Sequence, residues 1–174
     1  MRKIAIWGVL ALMVTALAAV AAQAATVGPE PGTVTSQTGG LHFVGTPTVT
    51  ATKSGQTAFL TSNFEVAGAG TTAQATLSAD AVATVGCINR GSKGQEPSGL
   101  QTTTEPVTGT ASFDTRQGRS GKQSVSTSAV TIPSTFTCPD RMVPTLVSVN
   151  FTNVTLTVTS QTGTTTAFFP DIDP

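Results

Sequence analysis

One histidine, nine carboxylates and two cysteines are the side chains of this 174-residue sequence that could carry chemistry. A Ser-His-acid mechanism would have to use His42, yet no Gly-x-Ser-x-Gly elbow is present to present a nucleophile. His42 sits between Leu41 and Phe43 near a strand start and reads as a surface or boundary histidine. Gly68-Ala69-Gly70-Thr71-Thr72-Ala73 matches a loose dinucleotide fingerprint, but that motif works only where a strand feeds a helix. A strand follows here, so a hairpin turn is expected. Gly118-Arg119-Ser120-Gly121-Lys122-Gln123 lacks the leading Gly of a phosphate loop and the Ser/Thr directly after Lys, and also reads as a turn. Arg116, Arg119 and Lys122 would form a small basic tip, either attracting an anionic polymer or simply solvated. Asp171 and Asp173 near the C-terminus make a poor calcium site. No catalytic, metal or cofactor site is assigned.

Cys87 and Cys138 are the only cysteines, and in an exported protein an even pair reads as a disulfide. Closing a loop of about fifty residues stabilises a fold by roughly 4 kcal/mol in the chain-entropy view. The N-terminus supports export. Arg2 and Lys3 precede an uncharged stretch from Ile4 to Ala22, and Ala22-Gln23-Ala24 offers a small-x-small cleavage pattern. Residues 1–25 are therefore expected to be a signal peptide cleaved after Ala24 or Ala25, leaving about 150 residues, the size of one domain. No further membrane span, lipid-anchor cysteine or hydrophobic tail is expected, which places the mature protein outside the cell.

Composition narrows the partners. Trp7, the single Trp, lies in the signal segment, and the chain has no Tyr. Removing Arg2 and Lys3 leaves seven basic residues against nine acidic ones, a net charge of −2. Nucleic-acid binding needs a basic stripe that this chain lacks. Without Trp or Tyr, a sugar platform or an aromatic-anchored hot spot is disfavoured. The expected partner is an unidentified protein or envelope component.

Thr, Ser and Val are abundant, which is strand chemistry, because β-branched side chains suit a pleated surface. The clearest strand covers 73–85, where Ala73, Ala75, Leu77, Ala79, Ala81, Ala83 and Val85 occupy one face. Ala58, Leu60, Phe64 and Val66 alternate similarly, as do Val107, Ala111 and Phe113. Val130, Ile132 and Phe136 share their phase with Cys138. Val147, Val149 and Phe151 take one phase and Val154, Leu156 and Val158 the other, so Thr152-Asn153 marks a bulge or a strand changing sheets. Turn-rich segments separate these runs, and seven or eight strands at that spacing predict an antiparallel two-sheet sandwich, immunoglobulin-like or similar. Residues 26–40 contain Pro29, Pro31, Gly32, Gly39 and Gly40 and read as a flexible lead-in. One domain is expected over 41–170, with 171–174 as a tail. The heptapeptide Thr-Val-Thr-Ser-Gln-Thr-Gly occurs at 33–39 and again at 157–163, either as two equivalent pairing edges or as coincidence in a Thr-rich chain.

Leu41-His42-Phe43-Val44-Gly45-Thr46-Pro47, Val85-Gly86-Cys87-Ile88-Asn89-Arg90-Gly91 and Thr137-Cys138-Pro139-Asp140, followed by Pro144-Thr145-Leu146, carry a resemblance. Over roughly 41–159 the chain resembles a group of small secreted β-sandwich proteins of actinobacteria. In that group an aromatic often follows the Cys-Pro turn, where this chain has Arg141-Met142-Val143. The resemblance implies secretion and a β-sandwich, and brings no activity with it. In a bacterium the sequons at Asn150 and Asn153 would have no role; in a eukaryote they would.

The segment after Cys87 is the candidate interaction loop, with Asn89, Arg90, Lys93, Glu96 and Pro97 as its distinctive residues. Loops on a braced scaffold often carry recognition; the alternative is an irregular crossover between sheets. The leading expectation is a non-catalytic secreted module acting by surface contact. A self-associating envelope protein comes second, through Thr/Val edges, and an enzyme last.

Overall fold

A computed structural model describes residues 24–89 and 96–174. The expected signal segment up to residue 23 and loop residues Arg90 and Lys93 lie outside the described residues. No helix occurs among the described residues, and none is therefore long and apolar enough to cross a membrane.

The described residues form twelve strands in order: β1 (Ala25–Pro31), β2 (Thr33–Gly39), β3 (His42–Phe43), β4 (Thr48–Ser54), β5 (Thr57–Phe64), β6 (Val66–Ala67), β7 (Thr72–Asn89), β8 (Ser98–Asp114), β9 (Gln123–Ser126), β10 (Val130–Thr131), β11 (Met142–Ser160) and β12 (Gly163–Phe168). One antiparallel sheet has the order β1-β4-β5-β10, with β9 also on β5; the other runs β2-β12-β11-β7-β8. A short β3-β6 pair stands beside them. The two main sheets pack face to face, as the alternation predicts. Inward residues of β7 (Ala75, Leu77, Ala79) and β11 (Val154, Leu156, Val158) meet Val49 and Ala51 of β4 and Ala58 and Leu60 of β5. Ser62 shares the inward phase of β5 and is fully buried. Its hydroxyl donates to Thr48 O at 2.9 Å, which satisfies the polar group that alternation forces into the inward face of β5.

Three expectations change. Residues 26–40 are not a flexible lead-in: β1 pairs with β4 in one sheet, the chain crosses at Gly32, and β2 pairs with β12 in the other. Edge strands need only one partner's backbone and no buried face, so their exposed, Pro- and Gly-containing sequences show no apolar alternation. The tail is not free either. Ile172 is buried and exchanges backbone hydrogen bonds with Phe151 at 2.9 and 3.0 Å, so the core reaches past residue 170. Gly68-Ala69-Gly70 does not close a hairpin; it leads from β6, paired with β3, into β7 of the large sheet. Ala69 is buried there, and its N–H donates to Gly118 O.

The phase switch in β11 is a bulge within one continuous strand, not a change of sheet. The register against β7 shifts between Thr152 and Thr155, with Asn153 at a φ of 54°. A second shift between Leu146 and Ser148 escaped the sequence pattern, so Leu146 is buried where Val147 was expected. The repeated heptapeptides are neither equivalent edges nor partners. Both flank β12: Ser36 to Gly39 on the sheet's outer strand, and Thr157 to Ser160 on its inner side. The two copies meet β12 three positions out of step, since Thr166 opposes Ser36 on one side and Thr157 on the other.

Candidate functional site

Chemistry at a point requires convergent groups. His42 is exposed, and its Nδ1 lies 3.0 Å from Gly40 O, to which it donates. No carboxylate is among the hydrogen-bond partners of the ring. Among the described residues, no group of three His, Cys, Asp or Glu side chains is placed to hold a metal ion. The expected basic tip is a turn closed by reciprocal Arg116 and Arg119 backbone bonds at 2.9 and 3.0 Å. Arg119 lies 3.9 Å from Glu65, and Asp114 lines the same open depression of about 420 Å³. Carboxylates therefore face the cations and offset the field that an anionic polymer would need. Asn153 donates to Asp80 Oδ2 at 2.8 Å, so one sequon amide is engaged on the sheet's outer face.

The disulfide end is built differently. Cys87 and Cys138 are joined, with Cα atoms 5.7 Å apart and a sequence separation of 51. Cys87 is near the end of β7, whereas Cys138 lies in the irregular segment that carries the chain from β10 across to β11. The bond thus pins a crossover between the two sheets to the large sheet. Ile132 and Phe136 of that segment pack on the core below it. Gln56, from the turn between β4 and β5, reinforces the same end. Its amide N–H donates to Pro144 O at 3.1 Å, and its carbonyl accepts from Leu146 N at 2.7 Å. Nothing in the sequence marks a lone Gln in a turn as a clamp on a strand 90 residues away.

The candidate interaction loop stems from this end. β7 and β8 are adjacent antiparallel strands, with Cys87 opposite Ser98, so the segment is not a crossover between sheets. Of its distinctive residues, Asn89 and Glu96 are exposed, Asn89 lies opposite Met142, and Pro97 is half-buried. Pro97 and Leu100 lie over Gly86. A Cβ on that glycine would stand 2.9 Å from Pro97 Cβ and 2.8 Å from Leu100 Cδ2. Gly86 lets the base of the loop fold onto the sheet, a role that a glycine inside an alternating strand can signal.

Beyond that contact, β8 divides in two. Ser98 to Pro106 are all exposed, on both faces, whereas Val107 is buried. The start of the lower half is closed by the end of β9 and the residues after it: Ser128 N donates to Thr108 O, and a Cβ on Gly109 would fall 1.7 Å from Ser126 O. On the lower outer face of the large sheet, hydroxyls line up across all five strands in the row Thr110, Thr76, Thr157, Thr166, Ser36.

Comparison with known proteins gives no match to a family model, a curated protein or a solved structure.

Proposed function

We propose that this chain is a non-catalytic secreted module that acts by surface contact with a protein or envelope component, through the loop between β7 and β8. The observation that carries the reading is the bracing of that loop's base. The disulfide sits directly below it, and Pro97 and Leu100 are packed over Gly86. A loop held at its root by a crosslink loses less freedom on binding than a free one, so more of its contact energy appears as affinity. The N-terminal signal pattern, the disulfide and the resemblance to secreted actinobacterial proteins support an extracellular setting.

The test is capture from native envelope extract and culture medium by the oxidised mature protein and by a variant with Gly91 to Glu96 replaced by a Gly/Ser linker. Cys87, Pro97 and Leu100 stay in place so that the scaffold is unchanged. The expected result is a component retained by the first and lost by the second. If every captured component binds both proteins equally, the loop is a connector and the assignment fails.

A further inference from the structure

A sheet edge presents unpaired N–H and C=O groups, and folded proteins blunt such edges with bulges, prolines, charges or a covering segment. The edges of this sandwich differ in that respect. β1 is broken by a register shift between Val27 and Glu30 and carries Pro29, Pro31 and a charge. β2 has a shift where it meets Thr166 and Ala167. The start of the lower half of β8 is closed by the end of β9 and the residues after it. The upper half has none of these devices before Glu105 and Pro106. From Gln101 to Asp114 its register against β7 is unbroken, and the stretch Leu100-Gln101-Thr102-Thr103-Thr104 is uncharged and rich in a strand-forming residue.

We propose that Leu100 to Pro106 is where two copies of this chain meet, β8 to β8, antiparallel about a two-fold axis at Thr103. The segment is self-complementary in that register. Thr103 opposes its own copy, Thr102 opposes Thr104, Gln101 opposes Glu105, and Leu100 opposes Pro106. The segment's only charge thus faces a neutral amide that can donate to it, and Thr–Thr pairs are favourable across antiparallel strands. The ladder stops where it must: Pro106 has no N–H to give, and Ser126 and Ser128 cover the strand at Thr108 and Gly109. Such pairing joins the two five-stranded sheets into one of ten, by main-chain bonds that an isologous contact repeats twice. An edge contact of seven residues buries far less than a standard interface, so the dimer is weak and depends on concentration. The proposal goes beyond the loop reading above: copies can pair without any outside partner, and a monomer can still bind one.

Sedimentation or light scattering of the oxidised mature protein, from micromolar to about 1 mM, reads the association directly. The expected result is a monomer–dimer equilibrium that Thr103→Lys weakens at least about tenfold, because like charges then oppose each other at the axis. With no free cysteine among the described residues, Thr103→Cys should give a covalent dimer on oxidation, while Thr110→Cys, on the same strand but far from the axis, should not. The crosslink decides the matter even if the lysine variant is poorly folded. A protein that stays monomeric throughout overturns the proposal. So does a dimer that Thr103→Lys leaves unchanged and Thr103→Cys fails to lock, which would place the contact on another edge.

Discussion

The two halves of β8 share one strand and one partner, yet they live in different surroundings. Just below Pro106 the strand is closed by the end of β9 and the residues after it, and it contributes Val107 to a core shared by both sheets. Above it, the residues are exposed on both faces and along one edge. The lower half is held by packing, and the upper half by one ladder of hydrogen bonds, a glycine-seated fold-back and a disulfide nearby. The contrast teaches where this molecule can spend residues on recognition. At its base nearly every inward position is committed to Ala, Val, Leu or Phe. At the disulfide end a covalent bond substitutes for some of that burial and leaves side chains free.

The largest effect should come from removing the crosslink. Replacing Cys87 and Cys138 by Ala closes no loop in the unfolded chain and is expected to lower stability by about 4 kcal/mol. Urea unfolding of the variant against the oxidised protein measures it. A loss well under half that size would mean that burial, not the crosslink, holds the disulfide end. Next in size is Gly109→Ala. Its new methyl would lie 1.7 Å from the Ser126 carbonyl oxygen, which is backbone and cannot swing aside, so β8 and β9 must separate. A cost of about 1–3 kcal/mol is expected from such overpacking, read as a shift of the unfolding midpoint. Smallest is Gly86→Ala, whose methyl meets the end of Leu100 at 2.8 Å and the ring Cβ of Pro97 at 2.9 Å. Leu100 can change rotamer into solvent, and Pro97 must shift with the exposed loop base, so the cost should stay near the low end of overpacking, about 1 kcal/mol. Equal costs for the two glycine variants would erase the distinction between base and end.

Much of this division was legible in the sequence. The strict alternation from Ala73 to Val85 identifies the central strand, and the lone cysteine pair identifies the crosslink, because both signals are local and tied to one physical cause. The remainder depends on partners that a sequence does not display. β1 and β2 look like a linker because an exposed edge strand buries no face. Leu146 hides behind Val147 because a bulge shifts the phase by one residue. Whether the segment after Asn89 crosses between sheets or returns along the same one is set by the pairing of Cys87 with Ser98, which neither residue type encodes. The candidate loop itself was legible only as composition. What singles out its base is the contact of Pro97 and Leu100 with Gly86, a tertiary event.

The most direct test of the division between base and end is amide hydrogen exchange along β8 in dilute oxidised protein. Among the alternate amides of β8 that face β7, exchange should step at Pro106, with Gln101, Thr103 and Glu105 opening through local fluctuations and Val107, Gly109, Ala111 and Phe113 opening only with the global unfolding of the sandwich. Uniform protection on both sides of Pro106 would contradict the account, because it would make the disulfide end as rigid and as closed as the core beneath it.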